Sequence, residues 1–209
     1  MKKKGILIVF CTILVSVMSI LVTTAYLTDT KTSDNTYQIG KVSIKLDESN
    51  VNELGELIDN SRVKENNYHL MPGYTYIKDP TITVLNNSLD SYIRILVTVN
   101  KISNLKEIYG DNFSLNDICN DLSSKWTYYG ETLDGDKVIY EYRYNDTVNA
   151  LNGNVKLEPL FKSFTIDESV TVEELETIKD LEIKIVGHAI QESGFNGADD
   201  AWLNFDGNL

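Results

Sequence analysis

The stretch Ser91–Val99, SYIRILVTV, alternates in polarity more clearly than any other part of the chain. One side of it collects the apolar residues Ile93, Ile95, Val97 and Val99. The other side carries Tyr92, Arg94 and Thr98. This period of two is typical of a β-strand with one buried face. The run TITVL before it and the turn-forming Asn86-Asn87-Ser88 between the two runs predict a β-hairpin.

Strand patterns also dominate on both sides of this stretch. In YQIGKVSIKL, residues 37–46, the apolar Val42, Ile44 and Leu46 share one face, and Gly40 lies where the parity changes, which is a natural place for a β-bulge. Residues 47–67 are rich in Asp, Glu and Asn and are predicted to form a long surface excursion. The Pro72-Gly73 turn is expected to enter a further strand.

The C-terminal half continues the same organisation. WTYYG and KVIYEYRY are predicted to pair as a hairpin around Asp134-Gly135. FKSFTI and LEIKIVGHAIQ complete the predicted strands. Short helices are predicted at residues 114–124 with Ser114 as N-cap, at VEELETI and at Ala198–Trp202. The fold class expected from these patterns is all-β, an antiparallel jelly-roll-type β-sandwich with short helices in its connections.

One face of the KVIYEYRY strand carries a tyrosine stripe. Its members are Val138, Tyr140, Tyr142 and Tyr144. Such a stripe can form a platform for carbohydrate, but it is more often a sheet face that packs at its base and reaches water at its hydroxyls. Both interpretations are open from the sequence.

Length and charge restrict the classes of protein to which the chain can belong. Its 209 residues suit one domain, and the formal net charge of −12 argues against nucleic acid as a partner, because nucleic-acid binding needs a basic patch. The charge is uneven, since Lys2, Lys3 and Lys4 begin the chain and no acidic residue precedes Asp29. Removal of residues 1–24 takes away three basic and no acidic residues, which changes the net charge to −15.

The N-terminus has the layout of an export signal. Residues 2–4 are basic, Ile6–Val22 form an apolar run, and small residues follow at Thr23, Thr24 and Ala25. We expect residues 1–24 to be an N-terminal signal helix that is cleaved near Thr24 and Ala25, so that the chain contacts the membrane only before cleavage. An uncleaved membrane anchor is the competing interpretation, because the apolar run reaches the lower limit for spanning. Cleavage predicts a secreted protein of the extracellular matrix or cell surface.

Cys119 is the one cysteine left after cleavage, so no disulfide can form within the exported domain. We expect it to be a small buried hydrophobe on a short helix. The alternative is an exposed thiol that pairs two chains.

Catalytic motifs are sparse, and no enzymatic activity is predicted. His69 and His188 are far apart, and the stretch HAIQE lacks the second histidine of a zinc-protease motif. The weak candidates for a metal site are His188, Glu192, Asp199 and Asp200, with Asp206 nearby in the sequence. The carboxylate oxygens of Glu192, Asp199, Asp200 and Asp206 could hold calcium, but their spacing fits no standard calcium loop, and a solvated acidic end is the simpler interpretation. No cofactor is therefore expected.

Four blocks of sequence, in order, resemble the TasA/camelysin family. The first is AYLTDTKTSDNTYQIGKVSIKL directly after the signal, and the second is MPGYTYIKDPTITVLNNSLDSYIRILVTV. The third contains Pro159, Leu160 and Phe161, and the fourth is HAIQESGFNGADDAW. Each block is weak alone, and together they span most of the chain.

The resemblance implies a jelly-roll domain that is exported through a SipW-type signal peptidase. It implies further that the domain assembles into biofilm-matrix fibres on a Gram-positive bacterium. Camelysin-like members have been called metalloproteases, and a secreted metalloprotease stays the alternative function, although no zinc motif supports it. A minor or accessory fibre subunit that acts with the main one is a further alternative. The fibres of the family are thought to form when the N-terminal segment of one subunit completes the sheet of the next.

That mechanism has a physical basis in this sequence. Residues 25–36 are the candidate donor strand, and the domain proper is expected to be residues 37–209. The candidate donor residues are Ala25, Tyr26, Leu27, Asp29 and Lys31, with Tyr26 and Leu27 as apolar anchors. An extended segment from a neighbour can supply backbone hydrogen bonds to an open sheet edge, and because donor and acceptor are different surfaces the contact propagates head-to-tail. A frayed terminus is the alternative.

Overall fold

A computed structural model describes residues 28–31 and 42–207 of the chain. The predictions of a signal helix over residues 1–24, of cleavage at Thr24 and Ala25, of anchors at Tyr26 and Leu27, and of a bulge at Gly40 lie outside these residues. The Thr28–Lys31 part of the candidate donor segment lies inside them.

Thirteen strands and three α-helices make up the described residues. The first seven strands are β1 (Thr28–Lys31), β2 (Ile44–Val51), β3 (Leu57–Val63), β4 (Thr75–Ile77), β5 (Thr81–Val84), β6 (Ser88–Asn100) and β7 (Cys119–Asn120). The other six are β8 (Trp126–Asp134), β9 (Lys137–Tyr144), β10 (Val148–Ala150), β11 (Val155–Lys156), β12 (Ser163–Thr165) and β13 (Ile183–Gln191). The helices are α1 (Ile102–Tyr109), α2 (Val172–Thr177) and α3 (Ala198–Asp206), with a 3₁₀ turn at Leu115–Asp117.

All strand pairs are antiparallel, so the all-β antiparallel class predicted from the sequence is confirmed. The largest sheet has the order β1-β13-β6-β9-β8, with β10 also paired to β6. A second sheet has the order β11-β5-β2-β3, and a small third sheet has the order β4-β12-β7. The long strand β6 is therefore the centre of the largest sheet, between β13 and β9.

One hydrophobic core joins the sheets. The predicted apolar face of β6 is buried, with Ile93, Ile95, Val97 and Val99 all within the core. Ile44 of β2 and Ile82 of β5 belong to the same core. The alternation of Ser91–Val99 therefore predicted the buried face of the central strand correctly.

The predicted β5–β6 hairpin is wrong, although both strands and the turn between them exist. β5 pairs with β2 and β11, whereas β6 pairs with β13, β9 and β10. The turn at Asn86 and Asn87 carries the chain from one sheet to the other, with Asn87 at φ 71°. The backbone N–H of Asn87 donates to the carbonyl oxygen of Ala150 at 2.9 Å, so the turn is tied to β10.

The prediction of a surface excursion over residues 47–67 is also wrong. β2 continues to Val51 and pairs with β3 as a hairpin. Within the turn, Oδ1 of Asn52 accepts hydrogen bonds from the backbone N–H groups of Leu54 and Glu56, each at 3.0 Å. β3 is polar because it covers little core, and it is held by Arg62, whose guanidinium lies against Asp47 and Asp79.

Residues 114–124 form less helix than predicted. Ser114 caps a single 3₁₀ turn, and the carboxylate of Asp117 accepts its backbone N–H. Cys119 then starts β7 and pairs with Phe164, so the chain leaves the helix to complete the small sheet. Cys119 is buried as predicted, with 3% of its surface exposed, but it lies on a strand. Burial raises the pKa of its thiol, which argues against the alternative of an exposed thiol that links chains.

The tyrosine stripe is part of the core. Val138, Tyr140 and Tyr142 of β9 are buried, and burial raises the pKa of Tyr142 to about 12. The hairpin around Asp134-Gly135 is confirmed, with Asp134 opposite Lys137 and Gly135 at φ 59°. The packed interpretation is therefore confirmed for Tyr140 and Tyr142, whose rings are buried, while Tyr144 at the end of the stripe is partly buried.

Candidate functional site

The candidate donor segment contributes strand β1, which lies along the outer edge of β13. Its four residues pair in register, as Thr28 with Ile190, Asp29 with Ala189, Thr30 with His188 and Lys31 with Gly187. The predicted donor residues Asp29 and Lys31 are therefore on this edge, while Ala25, Tyr26 and Leu27 lie before the described residues. β13 pairs with β6 on its other side, so β1 is the outermost strand of the largest sheet.

Gly187 marks a close approach of the two larger sheets beside β1. A Cβ atom at Gly187 would lie 2.8 Å from Cδ1 of Ile82 and 3.5 Å from Cδ1 of Ile44. The absence of a side chain thus lets β13 lie directly over β5 and β2. The part of β13 that β1 covers therefore packs against core residues of the second sheet.

β1 covers only half of the β13 edge. Among the described residues, no strand pairs with the outer edge of Ile183–Val186. This half borders a cavity of about 680 Å³. The walls come from β2, from the residues after β3 and from the start of β13, and they include Leu46, Glu48, Tyr68, Lys78, Phe164, Leu181, Ile183 and Ile185. The lining of the cavity mixes apolar side chains with charged and amide side chains.

A buried ion pair lies in the wall of this cavity. Nζ of Lys78 is 2.7 Å from a carboxylate oxygen of Glu48, and both side chains are almost fully buried. Glu48 also accepts a hydrogen bond from the side-chain amide of Asn66 at 2.9 Å. Because each charge has a partner, the pair is tolerated in the interior beside the cavity.

The outer face of β13 carries an arginine cluster. Arg94 of β6 is buried, and its Nε donates to Nδ1 of His188 at 3.0 Å. Its Nη1 donates to the carboxylate of Asp206 at 2.9 Å. The guanidinium carbon lies 4.5 Å from the ring centre of Trp202 and 5.0 Å from that of Phe205. Helix α3 is thus fastened over β6 and β13, behind the edge to which β1 binds.

This environment determines the charge states of the cluster. Burial, and then the nearby Arg94, lower the pKa of His188 from 6.5 to about 4. The hydrogen bonds from Arg94 lower the pKa of Asp206. At neutral pH, His188 is therefore a neutral acceptor and Asp206 is the anion that balances Arg94.

The other weak metal candidates are each engaged by a different partner. Asp199 pairs with Arg143, and Asp200 accepts hydrogen bonds from the backbone N–H of Asn196 and from Asn204. Glu192 lies 3.5 Å from the hydroxyl of Tyr92. Within residues 28–31 and 42–207, no group of three or more His, Cys, Asp or Glu side chains is placed to hold a metal ion.

Sequence reasoning missed Arg94 as the centre of this face. The available signal was an arginine in the middle of the most apolar strand, since such a residue needs a buried anion and often an aromatic partner. The predicted helical turn at Ala198–Trp202 extends to Asp206, because Trp202 and Phe205 pack on the sheet and Asp206 completes the ion pair.

Two further findings bear on function. In the part of the chain that the structure describes, no helix is both long and apolar enough to cross a membrane. No family model matches the chain, and no curated protein or solved structure matches it either.

Proposed function

We propose that this chain is a secreted structural subunit that assembles head-to-tail into extracellular fibres by donor-strand exchange. The observation that carries the proposal is the edge of β13, on which four residues of the N-terminal segment pair, while no strand among residues 28–31 and 42–207 pairs with Ile183–Val186 on that edge beside a cavity. In this proposal the two larger sheets form a jelly-roll-type β-sandwich that lacks one full edge strand.

The register of β1 explains why exchange between copies is favoured. Continued in the same register, the residues after Lys31 would meet Val186, Ile185, Lys184 and Ile183. Within one chain, however, residues 32–41 must connect Lys31 to Val42. A donor from another copy has no such connection to make on the acceptor, so it can follow the whole of β13 and place side chains in the cavity. The residues that would meet Val186–Ile183 are polar (residues 32–35, TSDN), so it is the added backbone pairs that favour the exchanged state in this proposal.

The export signal supplies the timing. Cleavage between Thr24 and Ala25 by a SipW-type signal peptidase would free the donor segment only outside the cell, which matches a protein of the matrix or surface of a Gram-positive bacterium. The resemblance to the TasA/camelysin family supports the same role. A main or an accessory subunit would use the same edge.

We favour a structural role over a secreted metalloprotease. The side chains that could have formed a metal site serve other contacts, since His188 and Asp206 hold Arg94 and Asp199 pairs with Arg143. These contacts fasten helix α3 to the sheet, and this is a structural use of the residues.

The proposal is tested by electron microscopy of purified chains. A chain that begins at Ala25 is expected to form filaments, and a chain that begins at Gln38 is expected to form none. Thr30→Pro in the longer chain is the matched variant, because it keeps the length and removes one backbone N–H from the donor strand. Filaments of normal yield from both altered chains would contradict the proposal.

A further inference from the structure

Strand β8 forms the other edge of the largest sheet. Among the described residues, β8 pairs with β9 alone, so the outward backbone groups of Trp126–Asp134 have no strand partner. The edge also exposes large side chains, with Tyr128 at 48%, Tyr129 at 55% and Leu133 at 64% of their surface. An exposed edge of this length is a template for pairing with another chain.

β8 has little of the protection that edge strands usually carry. Its sequence, WTYYGETLD, contains no proline and no lysine. Its protective features are a bulge between Tyr128 and Gly130 and the charged side chains of Glu131 and Asp134. Arg143 lies under the ring of Tyr129, 3.3 Å from its centre, and so holds this ring against the sheet face. The edge is therefore ordered, aromatic and open.

The charges on β8 select a particular partner geometry. Lys125 lies directly before the strand, and Asp134 ends it. Two β8 strands that pair antiparallel bring Lys125 of each copy to the Asp134 end of the other, whereas parallel pairing places like charges together. Lys125 is also available for such a contact, because its ion pair with Asp146 is 3.8 Å long and half exposed.

We propose that β8 is a self-association surface that pairs antiparallel with β8 of a second copy about a two-fold axis. This contact is isologous and closes on itself, unlike the head-to-tail contact proposed at β13. β8 and β1 lie at opposite ends of the largest sheet, so both contacts can form at once. In fibres, β8 pairing joins two filaments side by side.

The N-terminal segment is the other candidate occupant of this edge. It carries Asp29 and Asp34 with Lys31, and the β8 edge carries Glu131 and Asp134 with Lys125, so the two have the same net charge. A second copy differs from the segment by its symmetry, because antiparallel pairing places both Lys125 side chains at an Asp134 end at once.

Sedimentation velocity on the unassembled chain that begins at Ala25 tests the contact. We expect a concentration-dependent dimer, and we expect Leu133→Lys to raise its dissociation constant about tenfold or more by placing a charge in the paired edge. Leu203→Lys is the matched control, because Leu203 on α3 is also largely exposed, at 74% of its surface, and it should leave the dimer unchanged. A chain that stays monomeric up to its solubility limit, or two variants with equal effects, would overturn the proposal.

A cysteine at the centre of the strand identifies the partner. A Cβ atom at Gly130 would meet no atom within 4 Å, so a side chain fits there. Antiparallel pairing about the two-fold axis places residue 130 of one copy beside residue 130 of the other, so Gly130→Cys brings two thiols together. Mild oxidation should give a disulfide-linked dimer that Leu133→Lys suppresses, while the buried Cys119 stays unreacted. Mixing with Thr30→Cys checks the other occupant, and preferential cross-linking to that residue would refute β8 self-pairing. Because the unassembled chain is measured, failure of filament growth would leave this result intact.

Discussion

At the scale of single residues, Arg94 is the contact on which the outer face of the largest sheet depends. Its guanidinium is enclosed by His188, Asp206, Trp202 and Phe205, which come from β13 and from α3. The planar guanidinium hydrogen-bonds in a fork and stacks on the rings, and a lysine ammonium can do neither. Arg94 thus connects β13 to helix α3.

Arg94→Lys is therefore expected to lower the free energy of unfolding by about 3 kcal/mol, because it breaks a buried and well-paired charge cluster. Urea unfolding measures this change. Arg143→Lys is the comparison, because Arg143 pairs with Glu141 and with Asp199, which is 80% exposed, and stacks on the exposed ring of Tyr129, so its cost should be smaller, about 1 kcal/mol. If both variants lost the same free energy of unfolding, the contacts that enclose Arg94 would not be a special source of stability, and the prediction would be wrong.

His188 gives the same cluster a dependence on pH. Its pKa is about 4 in the folded protein and near 6.5 when the chain is unfolded. As pH falls through this window, the unfolded chain binds a proton that the folded chain does not, so stability declines by up to about 1.4 kcal/mol per pH unit. His188→Gln removes this titration. Its free energy of unfolding should fall less steeply between pH 6.5 and pH 4, and parallel slopes would count against the assignment.

At the scale of elements, the sequence indicated strands better than it indicated their partners. The alternation of Ser91–Val99 identified β6 and its buried face, and Asp134-Gly135 identified the β8–β9 hairpin. The turn at Asn86-Asn87 was misassigned because a turn that joins two sheets has the same composition as a hairpin turn. β3 was missed because Arg62, Asp47 and Asp79 hold it, and such a long-range charge contact leaves no periodic pattern.

Gly55 is the position that fixes the β2–β3 turn against β4. It has φ 74°, and a Cβ atom there would lie 2.6 Å from Cα of Tyr76. Gly55→Ala is expected to lower the unfolding free energy by about 3 kcal/mol, since backbone strain and a clash with the main chain combine. Gly135→Ala shares the positive φ but meets no atom within 4 Å, so it should cost about 1 kcal/mol. Thermal unfolding of the two variants side by side checks the difference.

At the scale of the whole molecule, the sequence predicted the all-β antiparallel class, but neither the pairing of Thr28–Lys31 with β13 nor the cavity beside it. The predicted donor residues Asp29 and Lys31 lie in β1, and their donation to another copy stays a prediction. The cavity along Ile183–Val186 forms where β13 packs near β2 and the residues after β3. Contacts between segments so far apart in the sequence leave no local sequence pattern, so the cavity could not be predicted. The arginine cluster was hidden for the same reason.

The two proposals assign one contact to each edge of the largest sheet. In them, the β13 edge accepts a strand and gives growth along one direction, while the β8 edge pairs with itself and gives lateral contact. The net charge of −15 that removal of residues 1–24 would leave is then expected to keep separate copies apart until one of these contacts forms.

The central claim is that the strand on the β13 edge passes from one copy to another. The most direct measurement uses the paired positions Asp29 and Ala189, both changed to cysteine in the chain that begins at Ala25. Oxidised as a monomer, this variant should close an internal disulfide and form no filaments until it is reduced. Oxidised after assembly, it should give a ladder of covalent oligomers on a denaturing gel. Filaments that grow from the internally linked monomer, or assembled filaments that yield only internally linked monomers, would contradict strand exchange.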